Sequence, residues 1–302
     1  MQQIFGVDIG NSGIRVAELQ LASRQLGTML RIDWWPDDGA GARLNTTDSP
    51  RYRPDDPRWL SELERFLVAR QQSSSTHSAA RPLRWLISSV RRDALELLQG
   101  YLLSQESASG PQSQATRQVE VVTHTALPLD VRVDYPQAVG IDRLLAALAA
   151  LEFVDSSPAV VIQAGSAVTV DIITAPASTS AQRPSLGCFE GGAILPGVPM
   201  MLRLLCKGAD QLPQITAADL LGLPDLPGKN TEAAMICGAA SALVGGVTHL
   251  VGRYRQQYGR SIPLIISGGD GMRLSPYLPA PLVIQDHLVH RGLMRLAELS
   301  QV

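Results

Sequence analysis

A short apolar run that breaks at a glycine turn constrains the fold more than any other stretch of this chain. Residues 4–20 read IFGVDIGNSGIRVAELQ, in which an apolar segment ends at Asp8, a turn follows at residues 10–13 and an alternating segment leads away. This pattern predicts two antiparallel strands joined by a tight turn. Glycines there let backbone N–H groups cradle phosphate, and Asp8 could meet a phosphate-bridging Mg²⁺. An ordinary hairpin with an Asp-initiated turn explains the same residues, so both interpretations stay open at this point.

The chain holds a second hairpin of the same kind. Residues 159–173 read AVVIQAGSAVTVDII, with a turn at residues 163–167 between two apolar segments. The two turns lie about half a chain apart, and each heads a half that continues with further strand-like and helical segments. Two such hairpins predict a duplicated α/β protein with an ATP cleft between the copies. We place the two domains at residues 1–130 and 131–302.

The composition limits the classes of protein to consider. The chain has 302 residues, of which 45% are hydrophobic and 18% charged, and this suits two domains with a sizeable core each. The formal net charge of −2 predicts no nucleic-acid partner and no membrane partner. We find no signal-peptide pattern and no uninterrupted apolar stretch near the roughly 18 residues that a spanning helix needs.

Cysteine usage indicates a reducing compartment. The three cysteines, Cys188, Cys206 and Cys237, are odd in number and show no Cys-x-x-Cys spacing. This argues against a disulfide framework and against a zinc site. We therefore expect a cytoplasmic protein.

The remaining periodicity predicts alternating strands and helices with two polar inserts. The inserts are residues 36–57 and 104–118, both predicted as surface loops. Strands are expected at residues 27–35, 83–90, 119–123, 187–197 and 262–266. Helices are expected at residues 59–70, 91–103, 141–153, 231–254 and 289–299.

A helix start in the second half carries the candidate catalytic residue. Gly140-Ile141-Asp142-Arg143 opens a strongly apolar, alanine-rich helical segment. The helix dipole stabilises a carboxylate in the first turn, which is enough to explain Asp142 as an ordinary helix-start residue. The alternative makes Asp142 a general base that accepts a proton from a substrate hydroxyl as it attacks a γ-phosphate. Arg143 would then bind the substrate through its planar guanidinium.

Two further pairs of residues are weaker candidates. Gly268-Gly269 follow a buried strand, where paired glycines allow an adenine ring to stack on the backbone, although a simple turn explains them equally well. His287 and His290 have a spacing that could hold a metal, but a surface or core position fits them better. No Gly-x-Ser-x-Gly elbow or Cys/His arrangement indicates nucleophilic catalysis.

Taken in order, the motifs resemble those of the type III pantothenate kinases, a family that includes proteins named Bvg accessory factors. The segments that carry the resemblance span nearly the whole chain. They are Asp8-Ile9-Gly10-Asn11-Ser12, Ser88-Ser89-Val90, Gly140-Ile141-Asp142-Arg143, residues 163–171, residues 191–197, Asn230-Thr231 and Ser267-Gly268-Gly269.

The resemblance implies a fold, an activity and a set of site residues. The fold would be the actin-like, ribonuclease H-like α/β fold in a homodimer. The activity would be ATP-dependent phosphorylation of the pantothenate 4′-hydroxyl, the first step towards coenzyme A, with Asp142 as proton acceptor and Asp8 meeting Mg²⁺ through the phosphates. ATP would contact Asp8, Ile9, Gly10, Asn11, Ser12, Gly13, Ile14, Arg15, Ser166, Gly268 and Gly269. Pantothenate would contact Gly140, Ile141, Asp142, Arg143 and Thr231, with Tyr135 as a further candidate.

This chain departs from the family pattern at three positions. Gln163 replaces an Asp that binds a monovalent cation such as K⁺ or NH₄⁺, so the site has an amide oxygen but no charge. Ser166 replaces a Thr and keeps the hydroxyl. Val133 replaces a substrate-facing Tyr, and Tyr135 lies two residues further on. The inserts also make the chain longer than the family pattern.

Three functions therefore stay in competition. The first is a pantothenate kinase. The second is a regulatory or partner-binding family member with weakened catalysis, suggested by Gln163 and Val133 but opposed by the presence of Asp8, Asp142 and Arg143. The third is an actin-like kinase for another small hydroxylated substrate.

Overall fold

Two six-stranded sheets form the frame of the molecule. The computed structural model describes residues 2–34, 51–73, 83–108, 117–154, 158–176, 185–215 and 226–301. The first sheet contains β1 (Gln3–Ile9), β2 (Gly13–Gln20), β3 (Gln25–Trp34), β4 (Arg51–Tyr52), β5 (Leu83–Ser89) and β6 (Arg117–Val121). The second contains β7 (Leu129–Val131), β8 (Ala159–Ala164), β9 (Ala167–Thr174), β10 (Gly187–Pro196), β11 (Leu264–Ser267) and β12 (Leu282–Ile284).

The two sheets share one topology. The first runs in the order β4-β3-β2-β1-β5-β6 and the second in the order β12-β11-β8-β9-β10-β7. Each sheet contains an antiparallel hairpin, and a later strand pairs parallel to the first strand of that hairpin. The predicted duplication of an α/β unit is therefore confirmed. The domain division after residue 130 stays a prediction, since β7 spans that position and pairs in the second sheet.

Seven helices pack on these sheets in the described part of the chain. They are α1 (Leu60–Ser73), α2 (Arg92–Ala108), α3 (Ile141–Ala150), α4 (Val198–Gly208), α5 (Thr231–Tyr258), α6 (Gly271–Leu274) and α7 (Leu288–Leu299). The outer face of the first sheet packs against α1 and α2. The outer face of the second packs against α5. Because α3 and α7 share one apolar cluster with both sheets, they form the core between them.

The polar inserts are more ordered at their ends than the sequence predicts. Residues 51–52 form β4, which pairs with β3, and the Asp56 side chain accepts a hydrogen bond from the Arg58 backbone N–H to cap a 3-10 turn. The prediction of a loop over residues 104–118 is likewise wrong at both ends, because α2 continues to Ala108 and β6 starts at Arg117. Residues 35–50 and 109–116 lie outside the described residues.

Helix α5 has the length and the apolar composition of a membrane-crossing helix. Its buried side, however, packs into the second sheet through Leu243, Val247 and Val251. A single helix of this kind in the described part of the chain is weak evidence for a membrane span, because the core helix of a globular protein passes the same test.

The two central helices cross at a glycine. A Cβ placed on Gly292 of α7 would lie 2.2 Å from the backbone oxygen of Leu145 in α3. No side chain fits in that gap, so the absence of one at Gly292 sets how closely α3 and α7 approach.

We expect Gly292→Ala to destabilise the protein, because the added methyl group must push α3 and α7 apart. Overpacking of this kind costs about 1–3 kcal/mol. Gly252→Ala in α5 is the matched control: a Cβ there meets nothing within 4 Å, and alanine in a helix interior is favoured by about 1 kcal/mol. Urea unfolding should therefore give changes of opposite sign. Equal stability of the two variants would contradict the close crossing.

Candidate active site

A row of three polar side chains crosses the first sheet on its inner face. Asp8 in β1 pairs with Arg15 in β2 and with Ser88 in β5. Side chains alternate between the two faces of a strand. Because Ile4 and Leu86 lie in the cluster shared with α3 and α7, Asp8 and Ser88 face the same way. The side chains of this row therefore point toward the space between the two sheets.

The turn beside this row has the exposed backbone that a phosphate site needs. The Gly10 N–H donates to the Gly13 carbonyl oxygen at 2.9 Å, and Asn11 and Ser12 between them are exposed. A Cβ on Gly13 would lie 2.3 Å from the Ile32 carbonyl oxygen, so this position requires glycine. The flanking Ile9 and Ile14 side chains are buried in the outer cluster, so they can offer a ligand only backbone groups.

Helix α3 brings Asp142 to the same space. Gly140 is the N-cap residue, and Asp142 lies in the first turn, where its Oδ1 accepts the Arg143 backbone N–H at 2.9 Å. The carboxylate folds back so closely that a Cβ on Gly140 would lie 2.4 Å from Oδ1. Ile141 beside it is buried in the shared core and anchors the helix start.

Asp171 holds Arg143 and was missed by the sequence interpretation. Arg143 Nε and Nη2 donate to the two carboxylate oxygens of Asp171 at 3.2 and 2.5 Å. The guanidinium carbon lies 5.3 Å from the centre of the Phe189 ring. Asp171 is 1% exposed. Its carboxylate lies so close to Gly192 that a Cβ at that position would be 2.2 Å from Oδ1. One edge of the guanidinium is thus occupied by the protein. The available signal was an acidic residue in the otherwise apolar β9.

The charge of Asp142 acts on the carboxylates of both Asp8 and Asp171. Burial raises the pKa of Asp8 to about 6, Arg15 lowers it in part, and the charge of Asp142 raises it further. Burial also raises the pKa of Asp142 against the pull of its hydrogen bond to the Arg143 N–H. The Asp142 charge acts on Asp171 as well, where burial again dominates and raises the pKa. Asp8, Asp142 and Asp171 therefore lie in one electrostatic environment.

The second hairpin presents a corresponding row without charge. Gln163 in β8 pairs with Thr169 in β9 and with Ser267 in β11. Its turn contains Ser166, whose carbonyl oxygen accepts the Gly197 N–H at 2.9 Å. The Gln163 side chain makes no hydrogen bond with the described residues. The position that carries a carboxylate in the first sheet thus carries a neutral amide in the second.

The paired glycines after β11 lie against the second hairpin. Gly268 has φ +97°, and a Cβ there would lie 2.2 Å from the Ala164 carbonyl oxygen, so only glycine fits. At Gly269 a Cβ would meet nothing within 4 Å. This open backbone has room for a flat ring, and the contact of Gly268 and Gly269 with adenine stays a prediction.

Two predicted substrate residues, Tyr135 and Thr231, are exposed to solvent. Tyr135 is 78% exposed, whereas Val133 packs inward with its Cγ1 3.2 Å from the position of a Gly191 Cβ. Thr231 is exposed at the start of α5, a helix that packs on the opposite face of the second sheet from α3. Their predicted contacts with pantothenate stay predictions.

His290 packs under the polar row and is a core residue, as expected. It is 1% exposed, and its Nε2 lies 3.3 Å from the Arg15 carbonyl oxygen. Burial lowers its pKa to about 3, with His287 and Arg15 acting in the same direction. The described residues contain no group of three or more His, Cys, Asp or Glu side chains that could hold a metal alone. The donors at hand suit a Mg²⁺ that takes one or two carboxylates and completes its shell with phosphate oxygens and water.

A duplicated α/β frame with a glycine turn in the hairpin of each half defines the actin-like fold. A solved structure from Sinorhizobium meliloti, provisionally described as a 2-dehydro-3-deoxygalactonokinase, matches with a TM-score of 0.50 over 98% of this chain and 99% of that chain at 11% identity, which bears on the fold alone.

Sequence comparison gives the family. The model for type III pantothenate kinase matches residues 42–253. A type III pantothenate kinase of Rhodopirellula baltica is 32% identical over 96% of this chain and 97% of its own length. Another, of Chromobacterium violaceum, is 36% identical over 56% of this chain and 65% of its own length. The chain belongs to the type III pantothenate kinase family and is an ATP-dependent kinase acting on pantothenate. None of these matches favours the regulatory alternative.

We expect His290 to make stability depend on pH. The unfolded chain titrates this residue near pH 6.5, but the folded chain does so only near pH 3. Between these values the unfolded state binds more protons, so the His290 contribution rises with pH by up to about 1.4 kcal/mol per unit. Asp8, with its pKa raised to about 6, contributes with the opposite sign between about pH 4 and 6.

The difference between the wild type and His290→Gln isolates the histidine. Urea unfolding from pH 4.5 to 8 should show the wild type gaining stability relative to the variant as pH rises to about 6.5, with no further change above. A difference that is independent of pH would show that His290 is not held neutral in the folded state.

Proposed function

We propose that Asp142 is the general base of the kinase and that Asp8 works with Mg²⁺ at the phosphates. The observation that carries this proposal is the electrostatic effect of the Asp142 carboxylate on Asp8 across the space between the sheets. One carboxylate belongs to the phosphate hairpin and the other to a helix of the second half. A nucleotide and an alcohol bound between them would meet both.

The chemistry follows from these positions. The pantothenate 4′-oxygen attacks the γ-phosphorus, a new O–P bond forms, and the bond to the β–γ bridging oxygen breaks to release ADP. Asp142 accepts the hydroxyl proton during this attack. Bound Mg²⁺ would neutralise charge on the transferring phosphoryl group. Positioning and charge stabilisation supply most of the acceleration in such transfers.

We assign ATP binding to the two hairpin turns and the glycines after β11. Backbone N–H groups at Gly10, Asn11, Ser12 and Gly13 would surround the phosphates. Ile9 and Ile14 would support that turn through their backbone, since their side chains are buried. Arg15 and the Ser166 hydroxyl would contact phosphate oxygens from the two halves, and adenine would lie on Gly268 and Gly269.

We assign pantothenate binding to the start of α3. Gly140 and Ile141 would line the pocket through their backbone, beside Asp142. Arg143 would use the guanidinium edge that Asp171 leaves free, which still carries both Nη1 hydrogens and one on Nη2. Thr231 and Tyr135 would complete the site only if another surface approaches them.

A homodimer would supply such a surface. Helix α5 exposes a line of small residues, and α4 beside it exposes Leu204 and Leu205. Small residues at this spacing allow close helix packing, and exposed apolar patches mark interaction surfaces. The exposed line comprises Ala234, Gly238, Ala242 and Gly245.

We also propose a cytoplasmic protein of two domains, residues 1–130 and 131–302, without nucleic-acid or membrane partners. Three free cysteines support a reducing compartment. The net charge of −2 supports the absence of nucleic-acid and anionic membrane partners.

Asp142→Asn should lower turnover with pantothenate by about 10²–10⁴-fold, the usual contribution of general acid–base catalysis, while ATP binding persists. Because burial raises the Asp142 pKa, wild-type kcat/KM should also fall on acidification at a higher pH than an ordinary aspartate would give. The rate of product formation from pantothenate and ATP measures turnover and its pH dependence. A separate titration with ATP measures nucleotide binding. The control is Asp55→Asn, an exposed carboxylate outside the cleft, which should retain wild-type rates. Near-normal turnover of Asp142→Asn would remove this residue from the role of base.

Gln163→Asp should increase the dependence of turnover on the monovalent cation. An amide oxygen can coordinate K⁺ but adds no charge, whereas a carboxylate strengthens the site electrostatically. We expect the wild type to respond weakly to replacement of Na⁺ by K⁺ or NH₄⁺, and the variant to respond several-fold more strongly. Initial rates in the three salts at equal ionic strength test this. If wild type and variant respond alike, position 163 does not form the cation site.

A further inference from the structure

The Ser88 hydroxyl is buried without a hydrogen-bond partner. Ser88 is 0% exposed, and its Oγ bonds to nothing among the described residues. The adjacent Ser89 is different: its Oγ donates to the Arg91 carbonyl oxygen at 2.8 Å and accepts the Arg91 N–H at 3.1 Å. An unsatisfied hydroxyl at Ser88 is therefore a local feature and not a property of the whole strand end.

Its neighbour across the strand pair is Asp8. The two residues are in register in the parallel pair β1–β5, and both face the shared core side. Neighbouring strands lie about 4.8 Å apart, so a change of side-chain rotamer brings hydroxyl and carboxylate within hydrogen-bonding distance. The other strand next to Asp8 offers Arg15. Asp8 thus has a cation on one side and a hydroxyl donor on the other.

The second sheet shows what the same position does without a carboxylate beside it. There Ser267 pairs with Gln163 as Ser88 pairs with Asp8. The Ser267 hydroxyl has a partner in the fold, since it accepts the Leu288 backbone N–H at 3.5 Å. The duplicated topology therefore does not force a serine at this position to be unsatisfied.

An unsatisfied buried hydroxyl destabilises a fold by about 1–3 kcal/mol. Native proteins keep few such groups, and those that persist call for an explanation such as a role in a functional site. A hydrogen bond to an ionised carboxylate is about twice as strong as one between neutral groups. A serine hydroxyl is a suitable donor for a carboxylate that must hold one orientation.

We propose that Ser88 is a positioning residue whose hydroxyl donates to the Asp8 carboxylate when Mg-ATP is bound and fixes its orientation toward the metal. This inference rests on the proposed role of Asp8. Ser88 touches neither the nucleotide nor pantothenate; it acts only through Asp8.

The test is Ser88→Ala, compared with Ser88→Cys, which keeps the size and a weak donor. We expect Ser88→Ala to keep or raise the melting temperature of the free protein, because an unsatisfied group is removed. The Mg²⁺ concentration for half-maximal turnover should rise about tenfold, as for the loss of roughly 1.4 kcal/mol, with KM for pantothenate unchanged. The increase in melting temperature on adding Mg-ATP should shrink, and Ser88→Cys should partly restore both quantities.

Wild-type Mg²⁺ dependence and a wild-type Mg-ATP shift in Ser88→Ala would overturn the proposal. So would a lowered melting temperature with proportional loss of kcat at unchanged Mg²⁺ dependence, which is the signature of a structural role. Ser89→Ala is the matched control, and it should lower the melting temperature through its lost bonds to Arg91 without moving the Mg²⁺ dependence. The variant Asp8→Asn distinguishes a failure of the proposed Asp8 role from a failure of the proposed Ser88 role. If it keeps wild-type Mg²⁺ dependence, the role of Asp8 fails; if it alone loses that dependence, only the role of Ser88 fails.

Discussion

The close crossing of α3 and α7 is the contact on which the cleft depends. Helix α3 carries Asp142, and α7 packs through His290 against the backbone of the strand next to Asp8. The same helix donates its Leu288 N–H to Ser267 in the second sheet. The pair is therefore the mechanical link between both halves, and Gly292 sets its separation. Since close-packed interiors transmit displacements, the distance between the Asp8 and Asp142 carboxylates is fixed by apolar packing away from them.

The duplicated frame explains how one topology can serve two tasks. Corresponding rows across the sheets read Arg15, Asp8 and Ser88 in the first half, and Thr169, Gln163 and Ser267 in the second. Only the first row carries charge. A cleft built from two charged rows would place like carboxylates opposite each other, which raises their pKa values and disfavours ionisation. With a neutral second row, the acidic group that acts on Asp8 comes from the start of α3.

Local sequence signals predicted much of the fold, whereas pairing between distant segments determined the remaining strands and part of the candidate site. Both hairpins follow from turn chemistry within a few residues, and the structure has each of them. The strands β4, β7 and β12 are too short for their periodicity to predict them from the sequence. They form because each pairs with the edge of a sheet. Asp171 and Ser88 were missed for a related reason. Strand alternation gives the face on which each lies, but only the register shows that Ser88 neighbours Asp8, and only the placement of α3 shows that Arg143 reaches Asp171.

The pairing of Arg143 with Asp171 determines the charge that an incoming nucleotide meets. A buried ion pair of this kind adds little net stability over apolar packing, but it fixes the guanidinium and cancels its charge. Among the site residues described above, the carboxylates of Asp8 and Asp142 then stand against the cation Arg15, which gives a surplus of negative charge when both carboxylates are ionised. A triphosphate and a carboxylate substrate are both anions, so this protein surface alone repels what it must bind. Burial raises the pKa of both Asp8 and Asp142, which weakens the repulsion as the pH falls. In the proposed site, a divalent cation that arrives with the nucleotide would be attracted to Asp8 and would offset the charge of the phosphates. On that assignment, a requirement for magnesium would follow from the pairing of Arg143 with Asp171 as well as from phosphate chemistry.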